Sequence, residues 1–337
     1  MKKKLNSSTI RRFITIGLVI ALTALFSLLS SNFLSMYNLS ELFRNAAYLG
    51  LIACGLSVVM VGGGIDLSVG GIVCATGIIC VHLSDIGLSG YMVLILGIIT
   101  GGAFGLLNGF IVTKLKLTEF VTTLASGFLF FGLGLVFAYR DDHGTLMAHS
   151  IKSNTYLSLG QPLLPGGFYL ISLVWVVLAI ILWVVMHKTE LGLYTFAIGS
   201  DEKSARMSGV NVAKIKVIGF IMSGAFSGLA AVFVTAYERT ASTSLGNMRE
   251  FLAIAACVVG GVVLGGGKGD AVSAFLGALF LAMLDNGLRK FGMDSYVVYM
   301  IQGSLILVAI AFDSQFAKIS YRRRVKEQRL SAQTLTS

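Results

Sequence analysis

Ten apolar stretches fill most of this 337-residue chain, at residues 12–31, 45–61, 69–84, 91–113, 119–138, 167–187, 215–236, 249–264, 270–288 and 296–313. A helix needs about 20 residues to cross the hydrocarbon core, so ten crossings use about 200 residues and leave little for a domain outside the bilayer. In lipid every backbone N–H and C=O needs an internal partner, which restricts spanning chains to helices or closed barrels. The runs are too long and too uniformly apolar for barrel strands, which alternate over about ten residues. The expected fold class is an all-α polytopic membrane protein, one transmembrane domain over residues 1–337. Only 12% of the residues are charged, where a soluble domain carries about 25%. That excludes an ordinary soluble enzyme, a disordered chain and a nucleic-acid binder, despite a formal net charge of +10.

The positive charge reports topology and contact with anionic lipid instead. With a cytoplasmic N-terminus and ten spans, 19 of the 26 basic residues fall inside, including Lys2–Lys4, Arg11, Arg12, the 188–216 group and the tail 314–337. The seven outside are Arg44, Arg140, Lys152, Arg239, Arg249, Arg289 and Lys290. Both termini are therefore expected in the cytoplasm. The basic start followed by an apolar run imitates a secretory signal, but no A-x-A site follows, so it reads as an uncleaved first helix. Cys54, Cys74, Cys80 and Cys257 all lie in apolar runs without ligand spacing and read as small buried hydrophobes.

Between the runs, two connections and two glycine clusters stand out. The outer connection 139–166 holds both prolines, and its His143 and His149 near Asp141 and Asp142 read as solvated loop groups, not a metal site. In the inner connection 188–214, Ser200 or Asp201 can cap a short polar helix through Arg206, with Gly209 placed to stop it in a left-handed turn. Such a helix is either a docking element for a cytoplasmic partner or an ordinary loop helix. Gly97, Gly101, Gly105 and Gly109 recur every fourth residue, a stripe that admits a close helix neighbour. Gly261, Gly265 and Gly269 show the same spacing. Gly62-Gly-Gly-Ile-Asp-Leu-Ser-Val-Gly70 and Gly260–Asp270 interrupt apolar runs with flexible residues and a carboxylate, as discontinuous transporter helices do.

Catalysis finds no support. A phosphate loop needs Gly, four residues, then Gly-Lys-Ser/Thr; Gly267 precedes Lys268, but position 262 is Val and position 269 is Gly. No nucleophile triad, paired carboxylates or zinc motif is present, and no cofactor or metal is expected. Charge inside a bilayer is costly and marks function. The run boundaries place only Asp285 clearly inside a span, with Asp66, Glu119, Glu250 and Asp270 at ends. An ion-coupled carrier would keep a carboxylate or histidine relay in its bundle, so the energy is expected to come from another subunit.

Val61-Gly-Gly-Gly-Ile-Asp-Leu-Ser-Val-Gly70, the 188–212 connection, and Ala253–Gly261 with Leu264–Gly267 resemble, in order, the permeases of ribose-type ATP-binding cassette sugar importers. The similarity runs from Asn38-Leu-Ser to Phe312-Asp313. It implies a permease pair, homodimeric or heterodimeric, in the bacterial cytoplasmic (inner) membrane, bound to two ATPase subunits and served by an extracytoplasmic sugar-binding protein. It further implies that Gly199–Gly209 is the coupling helix, with Gly199, Asp201, Glu202 and Arg206 at the ATPase and Gly209 as terminator. Departures are Ser200-Asp201 for the usual Gly-Asn, Ala125 for Gly, Glu119 for an apolar residue or Pro, and Lys268. Asp66, with Ser68, either touches sugar or caps a helix.

The polar residues within the runs, Asn45, Asn108, Thr122, Thr123, Asn286 and Gln302, together with Asp66 and Ser68 of the glycine-rich segment between two runs, nominate a path for a monosaccharide or related small polyol. Helix-packing hydrogen bonds are the competing account of each. The alternative function is a standalone secondary transporter or channel, working without an ATPase.

Overall fold

The computed structural model describes residues 7–163, 167–308 and 311, with side chains from Arg12 onward. The expected tail 314–337 lies outside the described residues. In chain order the helices are α1 (Ser7–Leu29), α2 (Met36–Val61), α3 (Val69–Asp85), α4 (Gly90–Leu115), α5 (Glu119–Phe137), the single turn α6 (Asn154–Leu157) and α7 (Leu170–Lys188). They continue with α8 (Glu190–Ser200), α9 (Glu202–Met207), α10 (Val212–Glu238), α11 (Arg249–Gly260), α12 (Ala271–Lys290) and α13 (Ser295–Val308). Among the described residues seven of these, α1, α2, α4, α5, α7, α10 and α12, are long and apolar enough to cross a membrane. The chain is an all-α polytopic membrane protein.

The centre is built from α2, α3 and α10, whose side chains are buried along most of their length. The outer helices α4, α5 and α7 bury one stripe and present Ile95, Ile99, Phe128, Leu129, Val177 and Ile180 outward. An apolar exterior of this kind is what lipid tails cover. The predicted glycine stripe on α4 is the seam with α10. A Cβ on Gly101 would stand 2.3 Å from the Gly224 carbonyl oxygen, and one on Gly105 would stand 2.1 Å from that of Phe220. Only hydrogen allows backbones this close.

The second expected stripe does not exist. Gly261 takes φ +108° and ends α11 after Gly260, a Cβ on Gly265 would meet nothing within 4 Å, and Gly269 sits at φ +107° outside any helix. The run 249–264 is thus a helix of 12 residues followed by a glycine loop. At about 1.5 Å per residue it covers roughly half a bilayer. Apolar continuity hid the break, because Val262, Val263 and Leu264 extend the run without extending the helix.

The helix ends gather at two faces. One, the lower face, carries residues 62–66, 115–119, 188–212 and 264–270. The other, the upper face, carries residues 30–35, 86–89, 138–163, 167–169 and 239–248. On the upper face two short strands, β1 (His149–Ser150) and β2 (Thr240–Ala241), pair antiparallel. The candidate ligands there are dispersed: Asp141 accepts the amides of His143 and Thr145, and His149 Nε2 lies 2.9 Å from Asp85. Among the described residues no group of three or more His, Cys, Asp or Glu could hold a metal ion.

Candidate functional site

The lower face is organised by a helix pair. Asp201, not Ser200, caps α9: its Oδ1 accepts from the amides of Lys203 (3.0 Å) and Ser204 (3.2 Å), while the Ser200 hydroxyl turns back to the Phe196 carbonyl. Gly209 takes φ +87° directly after the helix, the left-handed stop that glycine adopts without strain. Ahead of α9 stands α8, a helix that polarity did not suggest. It docks through Gly199, where a Cβ would lie 1.9 Å from the Val61 carbonyl oxygen and 2.4 Å from the Gly267 amide nitrogen. Gly267 N in turn donates to Val61 O at 2.8 Å. The helix pair therefore rests on both glycine-rich breaks at once.

Charge fastens the same unit to α5 and α10. Lys216 Nζ lies 2.8 Å from Glu119 Oε1 and 2.8 Å from Glu202 Oε2, and Glu202 also binds Arg206 at 3.0 Å. Glu119 lies so near Gly64 that a Cβ there would meet its Oε2 at 1.9 Å. Glu119, a departure from the resembled pattern, is thus bridged to the expected coupling helix. Hydrogen bonding from Lys216 holds the Glu202 carboxyl below the usual range, and the Ser204 hydroxyl and amide do the same for Asp201. An open cavity of about 660 Å³ lies beside this bridge, lined by Gly63–Ile65, Lys116–Phe120, Glu202, Arg206 and Lys216.

Four of the nominated path residues meet in a buried knot where α2 breaks before α3. Asp66 Oδ1 accepts from Ser68 N (2.9 Å) and Ser68 Oγ (2.6 Å), and its Oδ2 accepts from Ser223 Oγ (2.7 Å). Asn108 donates to Ser68 Oγ at 2.7 Å, and Thr123 Oγ1 accepts from Leu67 N at 3.0 Å. Asp66, Ser68, Asn108 and Thr123 are all 0% exposed. Asp66 therefore satisfies the free amide of the α3 N-cap and ties it to α10. Thr122 is buried beside the knot, and Asn286 pairs reciprocally with Asn38 at 3.0–3.1 Å.

The placement of charge corrects the sequence reading. Asp285 is partly exposed near the upper end of α12, with 28% of its side chain accessible. Among the described residues the carboxylates fully enclosed are Asp66 and Asp270. Each follows a glycine break, and a break draws its flanking residues into the interior, which span counting cannot register. Asp270 caps α12 through the Ser273 amide (3.0 Å) and is held by Arg12, with His187 Nε2 at 3.5 Å.

The other two nominated residues, Asn45 and Gln302, meet near the upper face. They line a cavity of about 270 Å³ between α2, the start of α11, α12 and α13, together with Tyr48, Arg249, Asp285 and Tyr299. Residues Asn247 and Met248 separate it from a second cavity of about 170 Å³ that reaches Leu67, Gly70 and Gly71. The large lower cavity begins at Gly63–Ile65, on the other side of the same break.

The family model described as branched-chain amino acid transport system / permease component matches residues 38–310. The chain belongs to this permease family. Within it the permease is 36% identical to the ribose import permease protein of Bacillus subtilis (strain 168) over 304 residues, 88% of this chain and 91% of that one. It is 32% identical to the ribose import permease protein of Escherichia coli (strain K12), covering 88% and 92%. The D-allose transport system permease protein of the same organism is 31% identical, covering 90% and 92%. No solved structure matches the permease. Three of its site residues escaped sequence reasoning: Ser223, Lys216 and Arg12 act on partners 157, 14 and 258 positions away. Arg12 and Lys216 carried a signal, each a cation at the start of an apolar run (12–31 and 215–236); Ser223 carried none.

Proposed function

We propose that this chain is the transmembrane permease subunit of an ATP-binding cassette importer that moves a monosaccharide or related small polyol across the bacterial cytoplasmic membrane. The permease supplies the pathway; a separate ATPase subunit supplies the energy, an extracytoplasmic sugar-binding protein delivers the substrate, and a second permease completes the pair. The lower face is cytoplasmic in this reading, in keeping with the distribution of Lys and Arg. The names of the similar ribose and allose permeases support the substrate class.

One observation carries the coupling role. The α8–α9 pair sits on Val61 and Gly267 through Gly199 and on α5 through Lys216. A push on α9 from an ATPase would thus reach both breaks and the foot of α10 together. Glu202, Arg206 and Asp201 shape the contact surface, and Gly209 keeps it short.

Reconstitution with the partner ATPase and binding protein tests the reading. ATP-dependent sugar uptake is expected, and replacing Glu202 and Arg206 together with Ala is expected to abolish uptake while the permease still assembles. Uptake by the permease alone, without ATP and indifferent to those substitutions, would establish a secondary carrier instead.

A further inference from the structure

We infer that the cavity of about 270 Å³ near the upper face is a reception site for one neutral sugar ring, entered before the substrate reaches the α2–α3 break. The inference rests on the importer reading and adds to it the place where substrate is first held.

The cavity has a wet mouth and an enclosed floor. Asn45 and Asn247 are exposed at its rim, while Tyr48 and Gln302 are 8% and 5% exposed within it. Leu49, Leu252, Leu281 and Ala282 supply the apolar part of its wall. Ligand sites combine such apolar and aromatic walls with a few placed polar groups. Below the usual range of about 300–1,000 Å³, this one suits a small ligand.

Gln302 gives the decisive mark. Its Nε2 donates to Asp285 Oδ1 at 3.3 Å, but its buried Oε1 has no hydrogen-bond partner. An acceptor kept from water without a donor costs free energy, and a ligand hydroxyl would satisfy it. Asp285 Oδ1 and the Asn45 amide group add an acceptor and donors at the same cavity. A sugar hydroxyl both donates and accepts, so it matches this mixed set.

The wall's carboxylate is already engaged by one of its two arginines. Arg289 is already bound to Asp285 (2.8 Å) and Ser295 (3.1 Å). Arg249 lies over the Tyr48 ring at 4.6 Å. With Arg289 paired to Asp285, the groups left to meet a ligand are mainly the neutral amides of Asn45, Asn247 and Gln302 and the Tyr299 hydroxyl. The cavity also adjoins a second one: Asn247 and Met248 line both, and the wall of the second includes Leu67, next in sequence to Asp66.

The test uses the full transporter in proteoliposomes with radiolabelled ribose, fructose, galactose and allose as probes. ATP-driven import of none of them would overturn the importer reading itself. With an imported sugar in hand, Leu252→Cys is labelled from outside with an impermeant thiol reagent; all four native cysteines are buried. Protection by that sugar is expected. In a Leu252→Cys background, Gln302→Leu should raise the sugar concentration for half-protection about five- to tenfold, the worth of one hydrogen bond. Protection needs no change at Gln302, so a variant that fails to fold leaves the first readout standing. Import without protection would overturn the site and leave the importer intact. Protection by phosphatidylglycerol instead of sugar would make the cavity a lipid-headgroup pocket and overturn it as well.

Discussion

Two buried aspartates, each just past a glycine break and each answering the start of a helix, are held in opposite ways. Asp66 is surrounded by neutral donors, from Ser68 and Ser223, and among the described residues no cation lies within 4 Å of it. Asp270 uses the same kind of serine contact through Ser273 but adds Arg12 and His187. The α2–α3 break is therefore a hydroxyl-lined joint, and the α11–α12 break is an ion-paired clasp between α1, α7 and α12. A hydroxyl joint can exchange partners at little cost, whereas a clasp must separate charge. On this contrast the first break is expected to yield before the second.

The comparison is easiest to break at Arg12. Arg12→Ala leaves the buried Asp270 carboxylate with His187 as its nearest cation and should destabilise the purified permease by up to about 3–5 kcal/mol, the cost of removing one partner of a buried pair. Thermal unfolding in detergent measures it. A loss no greater than that of Asp66→Asn would end the distinction. Gly199→Val comes next, because its side chain must enter the space between Val61 and Gly267. Overpacking of about 1–3 kcal/mol is expected, with uptake falling further than stability because both breaks lose their shared support.

Asp66→Asn should cost only about 1 kcal/mol. An Asn oxygen still accepts from Ser68, and its amide can donate to the Ser223 hydroxyl. Stability read across Asp66→Asn and Asp270→Asn sharpens the contrast, since only the second leaves a cation without its carboxylate. The smallest effect concerns pH at the helix pair that links the breaks. Asp201 and Glu202 titrate below the ordinary carboxylate range. A depressed native value stabilises above the unfolded value, about 4, and that support is lost as pH falls through the lower native value. Coupling between ATP hydrolysis and uptake should thus stay constant from neutral pH down to about 5, as a pH series of uptake per ATP would record.

Much of the architecture was legible in the sequence, because lipid forces long apolar runs into helices. Asp201 and Gly209 were legible too, since a cap and a left-handed stop act within a few residues. The stop of α11 at Gly260 was not: whether Gly261 ends a helix or packs within one depends on φ, and Val262–Leu264 keep the composition unchanged. Helix α8 was missed because Glu190, Gly192, Gly199 and Ser200 read as loop, while its order comes from docking on Val61. The knot at Asp66 needed Ser223, and no local pattern announces a hydroxyl 157 residues away. Of the nominated path residues, polarity alone could not separate Asn286, which pairs with Asn38, from Gln302, which faces a cavity with a free acceptor.

The seam between α4 and α10 bears on how a stroke would be transmitted. Carbonyl oxygens of each helix lie against glycines of the other at Gly101, Gly105, Gly224 and Gly228, where the nearest atoms are backbone. Side chains act as compliant padding, since they change rotamer before a backbone moves. Here there is none. On the coupling reading proposed above, tilt imposed on the foot of α10, where Lys216 meets Glu202 of α9, would pass to α4 with little slack, the two helices turning together as a crankshaft that carries Ser223 and Asn108.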